Sequence, residues 1–312
     1  MIYAPILITT LNRVDHLKRC IESLSVNPWA KYSPLMISVD YPLDDGHADG
    51  YSKICGYLKE GIKGFKSVEI IYQKFNLGLV DNSYSIFDHV KKTGCDRFIY
   101  IEDDIEVSPN FIEYMDRNLE VIQDKKDVLA VCATRANRWP CVEQNDNNNV
   151  LLTCSYSGCA FGMYIEAMDC LRETISEDYL KNAVKDKRFR KKLIKEAPEL
   201  IFSLQDALIK KKGVFNRKNG EIPIVDVTIK VYLMNEDSYV LSPYVSKACN
   251  GGYDGSGYDC PDTGVRTDVR DRDNRFEPVI RDELRIDNPL PHLDFEQWLR
   301  IQVALIKLFF VC

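Results

Sequence analysis

The alternation of strand-like and helix-like segments most constrains the fold of this chain. Short apolar runs rich in β-branched and aromatic residues lie at 4–10, 34–40, 68–73, 96–104 and 128–133, with amphipathic segments between them. Fully apolar strands alternating with helices are typical of parallel sheets covered by helices on both faces. We therefore predict an α/β fold with a mostly parallel central sheet.

Local signals predict where several helices begin and end. Apolar residues at helical spacing predict a helix over 12–24, and a second over 52–63 after the turn-rich segment 41–50. Ser108 is the expected N-cap of a further helix with Pro109 at its first position.

The composition argues against several classes of protein. The chain has 312 residues, 45% of them hydrophobic, and its 41 Lys and Arg against 47 Asp and Glu give a formal net charge of −6. That balance predicts no nucleic acid partner, and no stretch reaches the roughly 18 uninterrupted apolar residues of a membrane span. The first residues lack the features of a signal peptide, and the eleven cysteines are scattered without a C-x-x-C pair. We therefore expect a cytoplasmic protein with reduced thiols.

Polar residues collect where the predicted strands end. Asp40 ends one strand, Asn76 follows another, and Glu102, Asp103 and Asp104 end a third. Ligands of such sheets bind beyond the carboxyl ends of the strands. Strand geometry predicts that Glu102 and Asp104 face one way and Asp103 the other. Mg²⁺ and Mn²⁺ take oxygen ligands, so the acids can hold a diphosphate through a metal; the alternative is a solvated acidic turn.

Four segments resemble one enzyme family: ILITTLNR, the strand ending at Asp40, NLGLVDN and FIYIEDDIEVSPNF. Together they resemble the GT-A glycosyltransferases, nearest to the branch of N-acetylglucosaminyltransferase I and its bacterial relatives. The resemblance implies a GT-A, Rossmann-like sheet with a C-terminal helical and loop extension. It also implies inverting, metal-dependent transfer from a nucleotide-diphosphate sugar (a UDP-sugar, with UDP-N-acetylglucosamine the first candidate) to a hydroxyl of a saccharide or lipid-linked glycan acceptor in surface polysaccharide biosynthesis.

The resemblance also implies a division of the chain. Residues 1–260 would form the catalytic domain, with a nucleotide-binding half at 1–135 and an acceptor half at 136–260. Residues 261–312 would form a C-terminal extension with a terminal amphipathic helix.

Site residues follow from the resemblance position by position. Asp104 matches the direct ligand of Mn²⁺ or Mg²⁺, and Asp259 stands where bacterial relatives carry a histidine that is a second ligand or a diphosphate contact. Alternatively, the glycine-rich loop around Asp259 contacts phosphates only through backbone N–H groups at 255–257. The residues implied to bind the nucleotide sugar are Thr9, Asn12, Arg13, Asp40, Asn76, Gly78, Leu79, Glu102, Asp103, Gly158, Phe161, Gly162, Gly255 and Ser256.

An inverting enzyme also needs a general base for the acceptor hydroxyl, on the far side of the site from the metal. Asp206, in the segment FSLQDALIKK, is the expected base, and Asp226 and Glu199 are the alternatives. A half-buried carboxylate with a raised pKa suits proton abstraction. The structural alternative is an aspartate in the first turn of a helix, where it interacts with the helix dipole.

Two further segments could meet a membrane. Residues 181–195 form a basic helix in an acidic protein, and the terminal helix ends in an apolar run. Either segment could contact anionic headgroups at the inner face of the membrane. A solvated basic face and packing of the terminal helix on the domain are the alternatives.

Two other functions remain open from the residues alone. A catalytically silent nucleotide-sugar-binding module would keep the three acids and lose the base. A sugar nucleotidyltransferase would need a glycine-rich phosphate loop after the first strand, and ITTLNR contains no glycine.

Overall fold

The computed structural model describes residues 2–134, 149–257, 262, 271–276, 279–285 and 295–312. Its strands are β1 Ile6–Thr10, β2 Pro34–Val39, β3 Ser67–Tyr72, β4 Arg97–Glu102, β5 Ile105–Val107, β6 Val128–Cys132, β7 Asn149–Thr153, β8 Ala160–Tyr164, β9 Tyr239–Pro243, β10 Ala248–Asn250 and β11 Val279–Arg285. Its α-helices are α1 Val14–Ser25, α2 Asp45–Lys59, α3 Gly78–Lys92, α4 Phe111–Ile122, α5 Ile165–Thr174, α6 Glu177–Lys185, α7 Lys187–Glu196, α8 Leu200–Gln205, α9 Asp226–Asn235 and α10 Phe295–Val311.

Nine of these strands form one central sheet, in the order β11-β7-β9-β6-β8-β4-β1-β2-β3. β1 pairs in parallel with both β2 and β4, and β2 pairs in parallel with β3. Antiparallel pairing enters only where β8 and β7 join the sheet. A separate antiparallel pair joins β10 to β5. The predicted α/β fold with a mostly parallel sheet flanked by helices is confirmed.

Apolar burial explains why the centre of the sheet forms where it does. Every residue of β1 is buried, as expected for a parallel strand with helices on both faces. Helix α1 turns Leu17, Cys20, Ile21 and Leu24 towards the sheet at helical spacing. At the edge, β3 is partly exposed along its length.

Two helix starts differ from the sequence expectation. Helix α2 begins at Asp45, inside the segment expected to be a turn, because the side chain of Asp44 accepts a hydrogen bond from the backbone N–H of Gly46 and caps the helix. The fourth helix begins at Phe111 and not at Pro109. The hydroxyl of Ser108 donates to Asn110 instead of capping the helix, so the expected cap at Ser108 is wrong.

Described parts of the C-terminal extension join the main body. Strand β11 pairs in parallel with β7. Helix α10 buries one side, with Ile301, Ala304, Leu305 and Leu308, in the core that α6 and α8 also line. No helix in the described ranges has the length and apolar character needed to cross a membrane.

Candidate functional site

The acidic triplet lies at the carboxyl end of β4, beside the ends of β1 and β2. Strand β4 ends at Glu102, and the chain turns through Asp103 and Asp104 before β5. Because the strand has already ended, the alternation expected for a strand does not hold here. Asp103 and Asp104 contact the same arginine, while Glu102 lines a cavity, so the predicted facing of the three acids is wrong.

Arg13, which precedes α1, bridges the two aspartates. Its Nη1 donates to Asp104 Oδ2 at 2.8 Å, and its Nη2 donates to Asp103 Oδ1. Thr10 Oγ1 donates to the other oxygen of Asp103 at 2.7 Å. Burial raises the pKa of Asp103, and Arg13 and Thr10 oppose part of that rise. We call Arg13, Asp103 and Asp104 the arginine cluster; it holds two buried carboxylates against one cation.

The glycine-rich loop lies against Asp104. Antiparallel pairing of β10 with β5 brings it there, and the Gly251 N–H donates to the Asp104 carbonyl oxygen at 2.8 Å. At Gly252 a Cβ would collide with Asp104 Oδ2, so only glycine permits this approach. Asp104 Oδ1 is buried and has no hydrogen-bond partner among the residues that the structure describes.

That free oxygen is the observation that tests the metal site. A buried carboxylate oxygen without a donor suits an oxygen-liganded cation such as Mg²⁺ or Mn²⁺, so Asp104 fits the expected ligand. Within the described ranges, however, no group of three or more His, Cys, Asp or Glu side chains is arranged to hold a metal ion. Asp259, the other expected ligand, lies outside the described residues.

His16 of α1 fastens the same loop. Its Nε2 is 3.0 Å from Asp254 Oδ2 and 3.2 Å from Ser256 Oγ. Hydrogen bonds from Ser256, together with His16, lower the pKa of Asp254 to about 2. Gly255, the first loop residue expected to bind the donor, has a φ of 79° in this turn. The loop residues Gly255 and Ser256 thus lie on the same side of the sheet as the arginine cluster.

Asp40 and Asn76 come together at the start of α3. Asp40 accepts backbone hydrogen bonds from Leu77 and Gly78, both at 2.8 Å, and Asn76 Nδ2 donates to the Tyr41 carbonyl at 2.6 Å. Gly78 has a φ of 77°, which favours glycine at this turn. The carboxylate of Asp40, expected to bind the nucleotide sugar, therefore anchors the loop that leads into α3.

Glu102 faces a cavity of about 100 Å³ that we call the aromatic cavity. Its lining residues include Leu79, Ser83, Tyr84, Phe87, Tyr100, Glu102, Tyr156, Gly158, Phe161, Met168, Ile224 and Asp226. Burial, followed by the nearby charges of Asp104 and Asp226, raises the pKa of Glu102 to about 8. Tyr100 continues the wall towards β1, with its hydroxyl 2.7 Å from Thr9 Oγ1.

Asp226, the first residue of α9, shares this cavity. Burial raises its pKa, while Lys230 and the backbone of Gly158 oppose part of the rise. A Cβ at Gly158 would collide with Asp226 Oδ1, so glycine at 158 makes room for this carboxylate. Glu102 and Asp226 are two buried acids in a wall of aromatic rings.

The other predicted residues are not brought to the cavity. Asp206 ends α8 with its side chain 39% exposed, and its Oδ1 accepts from Lys210 Nζ at 2.7 Å. Within the described ranges no hydrogen bond or ion pair links Asp206 to the aromatic cavity or the arginine cluster. Glu199 caps the other end of α8. Gly162 lies in β8 under Leu119, where its missing side chain serves packing, and Asn12 lies against Gly50 of α2.

Sequence reasoning did not single out three contacts at this site. Thr10 supports Asp103, His16 fastens the loop, and Tyr156 lines the cavity. The partners of His16 are 238 and 240 residues away in the chain. No local pattern marks such a contact, because only strand pairing brings the two segments together.

The mostly parallel sheet flanked by helices, with acids at the carboxyl edge of its strands, is consistent with the GT-A fold. The chain belongs to the family described as "Glycosyl transferase family 2", whose model matches residues 6–170. Enzymes of this family transfer a sugar from a nucleotide-sugar donor and typically use a divalent metal. None of the curated proteins matches the sequence significantly.

Solved structures resemble the chain at low identity. Staphylococcus aureus TarS is 11% identical with a TM-score of 0.37, over 57% of this chain and 32% of that one. TarS 1–349 in complex with UDP is 13% identical with a TM-score of 0.37, over 61% and 54%. A cytidylyltransferase from Leptospira borgpetersenii serovar Hardjo-bovis (strain JB197) is 11% identical with a TM-score of 0.33, over 56% and 66%. The chain thus spans about a third of the length of the first.

Proposed function

We propose that this protein is an inverting, metal-dependent glycosyltransferase that moves a sugar from a nucleotide-diphosphate donor to a hydroxyl of a saccharide or lipid-linked glycan. One observation carries the proposal. The turn after β4 presents a carboxylate with a free buried oxygen at Asp104, while Glu102 of the same triplet shares the aromatic cavity with Asp226. A metal-diphosphate site and a base would thus lie within one connected group of acids.

The arginine cluster is the proposed diphosphate end. Asp104, with Asp103 beside it, would hold Mn²⁺ or Mg²⁺. When bound, such an ion supplies positive charge that stabilises the nucleoside diphosphate as it leaves. Arg13 adds a fixed cation, and the turn at Gly255 offers its backbone N–H to phosphate oxygens, while the Ser256 N–H donates to Asp254 Oδ1.

Asp226 is the proposed general base, in place of Asp206. The acceptor oxygen attacks the anomeric carbon, its proton passes to a carboxylate oxygen of Asp226, and the bond from that carbon to the diphosphate breaks. A buried carboxylate whose pKa is raised accepts a proton more readily near neutral pH. Asp206, by contrast, is 39% exposed and accepts a hydrogen bond from Lys210 Nζ, and it does not line the aromatic cavity.

The finer assignments rest on the motif resemblance. We propose UDP as the nucleotide, N-acetylglucosamine as the first sugar to test, and a place in the branch around N-acetylglucosaminyltransferase I. We also propose that residues 1–135 bind the nucleotide, that 136–260 bind the acceptor, and that the enzyme works at the cytoplasmic face of a membrane in surface polysaccharide synthesis.

A pair of substitutions tests the base. Asp226→Asn and Asp206→Asn remove the same charge from two acidic residues near helix ends. We expect Asp226→Asn to lower kcat by about a thousandfold or more, since it removes the proton acceptor. It should leave UDP-sugar binding, measured by calorimetry with Mn²⁺, within about threefold, and Asp206→Asn should leave kcat within about threefold.

The reverse pattern would restore Asp206 as the base. Near-normal transfer by both variants would remove both assignments. Specific donor binding with no transfer by the wild-type chain to any saccharide or lipid-linked acceptor would favour the silent binding module.

A further inference from the structure

Helix α10 carries apolar residues on two opposite sides. Ile301, Ala304, Leu305 and Leu308 are buried in the core. Leu299, Val303, Ile306 and Phe310, spaced by four, three and four residues, form a second row that is exposed. At about 100° per residue these four lie within roughly 60° of one another, on the side opposite the buried row. We call this second row the apolar stripe.

The side chains of the apolar stripe are largely exposed to solvent. Phe310 is 83% exposed and Ile306 is 56% exposed. Single exposed apolar residues are ordinary, whereas a continuous row on one helix marks an interaction surface. Arg300 and Lys307 lie along one flank of the row, about a quarter turn away.

Beside α10, helix α7 presents a row of cations. Six of its ten residues, KRFRKKLIKE, are Lys or Arg, in a chain whose net charge is −6. Lys187, Lys191 and Lys195 are exposed at spacings of four, so they share one face. None of these three forms an ion pair with a described residue, whereas Arg188 and Lys192 both pair with Asp237. We call these three the lysine row.

A contact joins the two helices that carry these surfaces. The Arg190 guanidinium of α7 lies 5.4 Å from the centre of the Phe309 ring of α10. Arg190 is about 60° from Lys187 around its helix, and Phe309 adjoins Phe310. At the same end of α10, Lys181 and Lys185 of α6 act electrostatically on Cys312. Cations of α6 and α7 therefore border the end of the apolar stripe.

We propose that the apolar stripe and the lysine row form one docking surface for an anionic lipid bilayer. Acyl chains match an exposed apolar row on a helix lying in the plane of the interface, and headgroup phosphates match the neighbouring ammonium groups. Charge complementarity favours this occupant. The protein has a net charge of −6, yet lysines without an ion-pair partner among the described residues lie next to exposed apolar side chains on this surface, where they can meet anionic headgroups. The docking surface deepens the proposed place of the enzyme at a membrane face, but its test needs neither donor nor acceptor.

The test is flotation of the full chain with vesicles, without donor or acceptor. We expect binding to vesicles of phosphatidylcholine with phosphatidylglycerol, little binding to phosphatidylcholine alone, and release by high salt. Combining Lys187→Glu, Lys191→Glu and Lys195→Glu should lower the partition coefficient by about a hundredfold or more, since each basic residue contributes about fivefold. Ile306→Ser with Phe310→Ser should lower it by at least about tenfold.

Matched controls separate this surface from general charge and apolarity. Lys63→Glu, Lys66→Glu and Lys92→Glu change the net charge by the same amount at exposed sites elsewhere, and Ile2→Ser with Val26→Ser removes exposed apolar side chains elsewhere. Both controls should bind vesicles like the wild type, and circular dichroism should show every variant folded.

Three results would overturn the proposal: no binding of the wild type to anionic vesicles, equal losses in test and control variants, or undiminished binding in both test variants. A concentration-dependent dimer that Ile306→Ser and Phe310→Ser abolish, with vesicle binding absent, would assign the stripe to a second copy of the chain. The transfer assay plays no part in these outcomes, so they stand apart from the test of Asp226.

Discussion

The arginine cluster and the aromatic cavity both enclose carboxylates, but the groups that surround these carboxylates differ. In the cluster, Asp103 and Asp104 share the guanidinium of Arg13, and Thr10 donates to Asp103. In the cavity, Glu102 and Asp226 are surrounded by aromatic rings, and burial raises the pKa of both. Asp103 and Asp104 thus contact a cation directly, whereas Glu102 and Asp226 face mainly aromatic side chains, and Lys230 offsets only part of the pKa rise of Asp226.

The difference teaches which chemistry each region favours. Two carboxylates that contact one guanidinium keep an oxygen available to a further cation, such as a metal that holds a diphosphate. Carboxylates whose charge is unfavourable are suited to take up a proton. Glu102 lies at the boundary, since its pKa responds to Asp104 as well as to Asp226.

Removing Asp104, the member of the arginine cluster with one free oxygen, should give the largest effect on activity. We expect Asp104→Ala to lower kcat by about a thousandfold or more, because the residue is the proposed metal ligand at the diphosphate. Calorimetry should show that Mn²⁺ no longer strengthens donor binding. Glu60→Ala, which removes an exposed acid away from the site, is the control. Two results would contradict the metal-site assignment. One is equal donor affinity of the wild type with and without Mn²⁺, and the other is an unchanged effect of Mn²⁺ on donor binding in Asp104→Ala.

Removing the cluster's cation should cost stability. Arg13→Ala leaves Asp103 and Asp104 buried without their shared partner, so we expect a loss of about 3 kcal/mol in the free energy of unfolding. Urea titration measures it, and Mn²⁺ should restore part of the loss by binding the uncovered carboxylates. Lys53→Ala removes an exposed partner of Asp49 and should leave the free energy of unfolding nearly unchanged. Equal losses in both variants would show that the cluster is no more than a surface ion pair.

Removing a carboxylate from the aromatic cavity should raise the free energy of unfolding, and the gain should depend on pH. Glu102 has a pKa of about 8 in the folded chain against an ordinary value of 4.5, so the folded state binds more protons between these values and loses stability as pH rises. Glu102→Gln removes this loss. We expect the variant and the wild type to be similar near pH 4.5 and the variant to be more stable by up to about 3 kcal/mol at pH 8.5. A stability difference that stays constant with pH would mean that Glu102 titrates normally.

Local sequence patterns predicted the elements around the candidate site better in the first half of the chain than in the second half. Strands and helices up to residue 133 follow local periodicity, so β1, β2, β4 and α3 lie close to where the pattern predicts them. Helix starts were less predictable, since Asp44 and Asn110 compete with neighbours that have equal capping ability. The choice between Asp206 and Asp226 was open in the sequence, because both are aspartates near helix ends.

By itself the sequence determined the α/β fold, the acidic turn after β4 and membership in a family of sugar transferases, since hydrophobic periodicity and short motifs are local properties. Only the tertiary structure decided which acids share a cation and which share an aromatic wall. It also brought His16 to a loop more than two hundred residues away and left one side of α10 exposed. The reason is that ion pairing, burial and surface exposure depend on contacts between distant segments. Strand pairing and helix packing form these contacts, and no local sequence pattern specifies them.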